Sequence, residues 1–203
     1  MTACQVDRGL RLDRDLRRGL AGAFALLVAV LVPMNAIVAQ GASTGANQGD
    51  AGSRSKREAI DYRNPQFGFS LRVPADVFEP AEIRNTQAGS LWNSRDGQAR
   101  LVAAAQANET NESLQSYRRF LMEQTYDQAK FDYAPVRDTW FVLSGAFQDG
   151  RLFYERVTFA CSGRYIYGWQ LTYPPGDKRL YDGIVEAIHR SYRAGQGPNG
   201  NCG

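Results

Sequence analysis

Two turns divide residues 139–173 into three consecutive strand-forming stretches, and nothing else in the chain constrains its fold as tightly. Asp149-Gly150 reads as a two-residue hairpin turn, a geometry that needs φ > 0 at both central positions and so favours Asp-Gly. It predicts Trp140, Val142 and Ala146 opposite Phe159, Val157 and Phe153. The next turn, Cys161-Ser162-Gly163, is compatible with two registers. A two-residue loop at Ser162-Gly163 sets Tyr165, Tyr167 and Trp169 opposite Ala160, Thr158 and Arg156. A three-residue loop with Gly163 left-handed pairs Phe159 with Tyr165, Val157 with Tyr167 and Phe153 with Leu171. A slip of one residue turns every side chain to the other face. The register that unites the apolar residues is the expected one, which selects the three-residue loop and leaves Cys161 at a hairpin tip. Turns this short join antiparallel neighbours, because parallel ones need a long crossover.

The N-terminus reads as an export signal. Residues 1–18 carry five arginines against three aspartates, and residues 19–39 carry no charge. Pro33 and Asn35 interrupt the apolar run, and Ile37-Val38-Ala39 forms a cleavage site before Gln40. An uncleaved anchor is the rival reading, since 21 uncharged residues just span a bilayer. Arg17-Arg18 hints at twin-arginine export, but Gly19-Leu20-Ala21 fits that motif poorly. Removing residues 1–39 leaves 19 basic and 18 acidic side chains. A net charge of +1 gives no electrostatic footprint for nucleic acid. Of the chain's 24 basic residues 21 are arginine, a bias associated with GC-rich bacterial genomes. The expected location is therefore periplasmic or secreted, with membrane contact only through an uncleaved signal.

Four segments follow: a signal over 1–39, a disordered Gly/Ala/Ser-rich linker over 40–57, one folded domain over 58–193, and a flexible tail over 194–203. The linker has no large apolar residue with which to offset its ordering entropy. Within the domain, Phe67, Phe69, Leu71 and Val73 alternate on one face of a strand that Pro74 ends. Residues 91–95 and 98–107 flank Asp96-Gly97 as a second hairpin, with Trp92 opposite Leu101. Ala103, Ala104 and Ala105 make its second arm small-sided, open to a close-packed helix. That helix is expected over 114–124, capped by Ser113 or Asn111, with Leu114, Tyr117 and Leu121 as its core stripe. The Asn108 and Asn111 sequons are explained by capping without any sugar. A strand over 131–136 leads into the central three. Pro174-Pro175-Gly176 stops the last of these, and Asp177 caps a second helix with Leu180, Tyr181, Ile184, Val185, Ile188 and Tyr192 as its stripe.

Strands, helix, strands, helix, all with hairpin connections, predict an α+β fold: an antiparallel meander of about six to seven strands carrying two helices. The run Phe67-Gly68-Phe69-Ser70, followed by Pro74 and Phe78, resembles the opening of the PsbP-like superfamily. The stretches 140–145 and 153–159 and the terminal amphipathic helix are similar to that superfamily's second half. The resemblance covers most of residues 62–193 through core and turn residues. It implies an α/β/α sandwich and an accessory or binding style of function, and it transfers no catalytic residue. Photosynthetic members of the superfamily bind a membrane complex, and no docking motif for that role is present.

Cys4 leaves with the signal, so Cys161 and Cys202 are expected to form one disulfide in an exported protein. Closing a 41-residue loop is worth roughly 4 kcal/mol at most in the chain-entropy model. His189 is the sole histidine, which leaves no paired-histidine metal motif, and no phosphate loop or G-x-S-x-G elbow occurs. No cofactor and no metal is expected. Tyr154, Tyr165, Tyr167, Trp169 and Tyr173 form a candidate ligand groove, although alternating aromatics more commonly fill a sheet core. Glu155, set opposite Trp169 by the expected register, marks either a bulge or a functional polar residue. The reading is a monomeric, non-catalytic binding or accessory module whose partner is a cell-envelope protein or a small ligand. The alternative is a small hydrolase using Glu155 or the loop carboxylates Glu79, Glu82, Asp127 and Asp132.

Overall fold

The computed structural model describes residues 58–81 and 88–202. The signal, its Ala39/Gln40 junction, the 40–57 linker and Glu82 lie outside the described residues. Nine strands are described: β1 (Ala59–Arg63), β2 (Ser70–Pro74), β3 (Phe78–Pro80), β4 (Gly89–Ser94), β5 (Arg100–Ala107), β6 (Lys130–Tyr133), β7 (Trp140–Ala146), β8 (Leu152–Ala160) and β9 (Tyr165–Tyr173). Helix α1 (Leu114–Phe120) continues into a π-turn, Leu121–Thr125, and α2 (Lys178–Ser191) follows the last strand. Among the described residues no helix is long and apolar enough to cross a membrane.

Seven strands form one antiparallel sheet in the order β3-β4-β5-β9-β8-β7-β6, and β1 pairs with β2 in a separate two-stranded sheet. The fold is thus α+β as expected, built from two meanders, β3-β4-β5 and β6-β7-β8-β9, joined where β5 pairs with β9. The connection through α1 carries the chain from β5 to the far edge strand β6. Of the turns read from the sequence, Asp96-Gly97 gives the expected pairing of Trp92 with Leu101. The Asx geometry is visible there, with Gln98 N donating to Asp96 Oδ1 at 2.9 Å.

Two central registers differ from expectation by one residue. Trp140 stands opposite Thr158 and Phe141 opposite Val157, because Gln148 joins Asp149 and Gly150 in a three-residue loop closed by Phe147 N to Arg151 O. At the next turn Ala160 pairs with Tyr165 and Arg156 with Trp169, the register of the shorter loop, with Cys161, Ser162 and Gly163 all at positive φ. The rule of uniting apolar residues on one face failed because both faces of β9 are covered. Tyr167, Trp169, Leu171 and Tyr173 meet one core; Ile166 meets a second on the opposite face. Cys161 does sit at the hairpin tip, bonded to Cys202 with Cα atoms 5.2 Å apart.

The two cores define the layers. On one face, α2 and the β1–β2 hairpin cover Trp92, Leu101, Ala103, Ala105, Tyr167, Trp169 and Leu171. On the other, α1 and its π-turn cover Phe141, Leu143, Phe153, Val157, Phe159 and Ile166. Ser113 caps α1 by accepting from Ser116 N at 3.0 Å. The helix lies over β7 and β8, whereas Ala103 and Ala105 of β5 share the core on the other face with Leu71 and Val73 of β2. Asn64 shapes the loop into β2: its side-chain oxygen accepts from Phe67 N at 2.7 Å and Gln66 N at 3.1 Å. Asn108 likewise commits its amide to Glu112 O at 2.9 Å and Gly163 O at 2.8 Å, which matches a turn role.

The segment after α2 is held by more than the disulfide. Arg193 and Ser70 exchange backbone hydrogen bonds of 2.8 and 3.0 Å, and Gly197 N donates to Tyr167 Oη at 2.8 Å. Gly195 presses against β2's entry loop so closely that a Cβ there would stand 1.8 Å from the Phe67 carbonyl oxygen.

Candidate functional site

The aromatic residues read as a groove do not form one. Tyr167, Trp169 and Tyr173 are buried under α2 and the β1–β2 hairpin, while Tyr154 and Tyr165 are half-buried at the margin of the same core. Tyr154 stacks on Trp169 with ring centroids 5.1 Å apart. Tyr173 stacks on Tyr181 of α2 at 5.0 Å, and burial, first of all, pushes its phenol up to about 12. Glu155 points to the other face, so these six residues never share a surface.

Glu155 is neither a bulge nor an accessible acid. The ladders on both sides of it are regular, and it pairs with Leu143 and Gln170. Its carboxyl is 1 % exposed and accepts a 2.6 Å hydrogen bond from the Tyr126 hydroxyl. Gln170 Nε2 donates to the same hydroxyl at 2.6 Å, which completes a buried chain across the sheet. Burial raises the Glu155 carboxyl to about 7, partly opposed by the Tyr126 bond. Tyr126 reaches this position because the π-turn replaces the last helical turn, with Tyr126 N bonding back to Leu121 O at 2.9 Å. Sequence reading found Glu155 but neither partner, since a π-turn leaves no residue signature.

The loop carboxylates do not converge. Glu79 lies on edge strand β3 with Arg95 at 3.6 Å, and Asp132 lies on β6, the opposite edge, with Lys130 at 3.9 Å. Six inter-strand steps of about 4.8 Å keep those two tens of ångströms apart. Asp127 follows the π-turn, near the β6 side. Among the described residues no three His, Cys, Asp or Glu side chains gather around a point that would hold a metal ion. His189 is exposed on α2, with Arg156 Nη1 3.0 Å from its ring nitrogens. Burial first, and the Arg156 charge second, hold its imidazole below the ordinary value. Arg156 in turn lies 4.5 Å over the Trp140 ring.

An open concavity lies elsewhere, on the outer flank of α2. A groove of about 650 Å³ runs between that helix and the solvent side of the β1–β2 hairpin. Ala59, Pro74, Leu180, Gly183, Ile184 and Ala187 give it an apolar floor. Arg72, Arg179 and Arg190 stand around it, with Glu58 the one acidic lining residue. The strand period builds one wall: Asp61 and Arg72 pair across the hairpin on its outward face, joined by a 2.8 Å bond, while Tyr62 and Leu71 turn inward. The helical period builds the other. Tyr181, Ile184, Val185 and Ile188 are buried, but Leu180, expected in the same stripe, is 43 % exposed at the groove's edge. The stripe read from the sequence was one residue too wide for the surface that α2 covers. The available signal was Gly183, an interior glycine in an otherwise helix-favouring segment.

No family model matches the chain, and no curated protein matches it in sequence. Solved structures do. The solution structure of cyanobacterial PsbP (CyanoP) from Synechocystis sp. PCC 6803 superposes with a TM-score of 0.53 at 12 % identity, covering 72 % of this chain and 98 % of that one. The crystal structure of the Ran-binding protein Mog1p from Saccharomyces cerevisiae superposes with a TM-score of 0.50 at 10 % identity, covering 68 % and 96 %. At such identities the likeness is one of architecture: with its seven-stranded antiparallel sheet, small second sheet and two helices, this chain has the PsbP-like α+β fold.

Proposed function

We propose that this protein is an exported, non-catalytic binding or accessory module that engages its partner in the groove beside α2. The groove carries the reading: it is a concavity in the size range of ligand sites, apolar at its floor with a few charged groups around it. Export is supported by the N-terminal pattern of charge, apolar run and small residue, and by the pairing of Cys161 with Cys202, a bond that persists in oxidising compartments. A binding rather than catalytic role is favoured by the fate of the polar candidates. Glu155 is sealed from solvent by its own hydrogen-bond partners, and the described loop carboxylates that pair with arginine or lysine sit on opposite sheet edges.

A native mass spectrum of the protein from its exported fraction, taken without reductant, tests this. The expected mass begins at Gln40, lies two hydrogens below the reduced value, and carries a partner that denaturation removes. A full-length mass with free thiols overturns the exported reading. Turnover in a substrate screen that Glu155→Gln abolishes, with folding intact, overturns the non-catalytic one.

A further inference from the structure

The groove's chemistry specifies more than that something binds there. Gly183 is the informative residue. It sits inside α2, where glycine lowers helix stability relative to alanine. Its backbone is ordinary right-handed helix, so conformation does not require it. Nor does packing, because a Cβ built at Gly183 would meet nothing within 4 Å. The space a side chain would fill is the groove itself, and Ala187, one turn on, keeps it equally shallow. Leu180, at the same wall, is left 43 % exposed. A long apolar ligand lying against α2 explains all three.

Charge then selects the ligand's other end. The lining holds Arg72, Arg179 and Arg190 against Glu58. Arg72 is tied to Asp61 through Nε at 2.8 Å, and Arg190 meets Glu186 only at 3.5 Å. Arg179 has no ion pair among the described residues. Arg179 precedes Arg190 by about 16 Å along the helix axis and so stands at the other end of the groove, whereas Arg72, whose backbone N donates to Ser191 Oγ at 3.1 Å, lies at the Arg190 end. Two guanidinium groups at one end of an apolar floor suit a carboxylate or phosphate. We therefore propose that the groove between the β1–β2 hairpin and α2 binds a single-chain anionic amphiphile: an aliphatic chain laid over Leu180, Gly183 and Ala187, with its head group held at the Arg72 and Arg190 end. This rests on the binding-module reading and names the ligand class of the same site.

The probes are laurate and dodecylamine, both below their micelle concentrations, titrated calorimetrically into the oxidised protein. Laurate is expected to bind saturably at one site, at least tenfold tighter than dodecylamine. Gly183→Leu, which fills the floor, and Arg190→Glu, which reverses charge at the head-group end, should each weaken laurate at least tenfold. Circular dichroism and the thermal midpoint would confirm that both variants fold. Dodecyl phosphate in place of laurate distinguishes a phosphate head from a carboxylate one, and either result supports the proposal. Equal binding of laurate and dodecylamine, or laurate binding that neither variant changes, overturns it. If laurate fails to bind while Gly183→Leu removes the partner seen by native mass spectrometry, the amphiphile assignment falls and the binding module stands.

Discussion

The two faces of the seven-stranded sheet both lie under apolar cover and behave as opposites. Beneath α1 the face closes over a polar chain, Gln170–Tyr126–Glu155, and leaves its carboxyl without access to water. Beneath α2 and the β1–β2 hairpin the interior is aromatic, and the charges are moved outward to the groove's rim. The buried acid is held within the packing of one face, whereas the proposed partner would enter on the exposed side of the helix that covers the other.

That contrast breaks most readily at Trp169, central to the α2 face and 1 % exposed. Trp169→Ala should cost about 3–5 kcal/mol in urea unfolding. A loss under about 1 kcal/mol would mean that this face is not a single core. The α1 face answers to pH instead. Because the folded Glu155 carboxyl titrates near 7 and the unfolded one near 4.5, the folded state binds the extra proton between these values. Its contribution is therefore complete below about 4.5 and is lost as pH rises through about 7, for a total of about 3 kcal/mol. Glu155→Gln should flatten that slope, and an unchanged slope would place the proton elsewhere. Smaller still is Gly195→Ala, whose Cβ would collide with the Phe67 carbonyl. It should destabilise by about 1–3 kcal/mol and loosen the C-terminal segment to proteolysis. Gly183→Ala should do the reverse, stabilising by about 0.5–1 kcal/mol while weakening the groove's ligand. A destabilised Gly183→Ala would show that packing, not an open floor, explains the glycine.

Much of the scaffold was legible because it follows from periodicity and turns. The buried positions of α2, the Trp92–Leu101 register, the Ser113 cap and the Cys161–Cys202 pair all rest on local spacing or residue type. The register at Cys161 did not, since its choice depended on whether one or both faces of β9 would be covered, a property of elements far away in sequence. Leu180 misled for the same reason: an amphipathic stripe gives a direction but not the width of the surface that receives it. The candidate site was the least legible part. Arg72 and Arg190 look like ordinary solvated charges until β2 and α2 are placed side by side, and Gly183 gains meaning only beside empty space.

The junction between β5 and β9 has a consequence in time. Ala104 of β5 meets Gly168 of β9, roughly sixty residues later in the chain. Until β9 exists, the ribbon β3-β4-β5 has no partner at its inner edge, and Leu101, Ala103 and Ala105 have nothing to lie beneath. Pairings of that span close slowly, in the millisecond-to-second regime typical of sheet-dominated domains. A chain threaded through a membrane channel from its N-terminus would thus stay open until most of it had crossed. Were the chain exported as proposed, the strand order that makes folding late would also keep it open for passage.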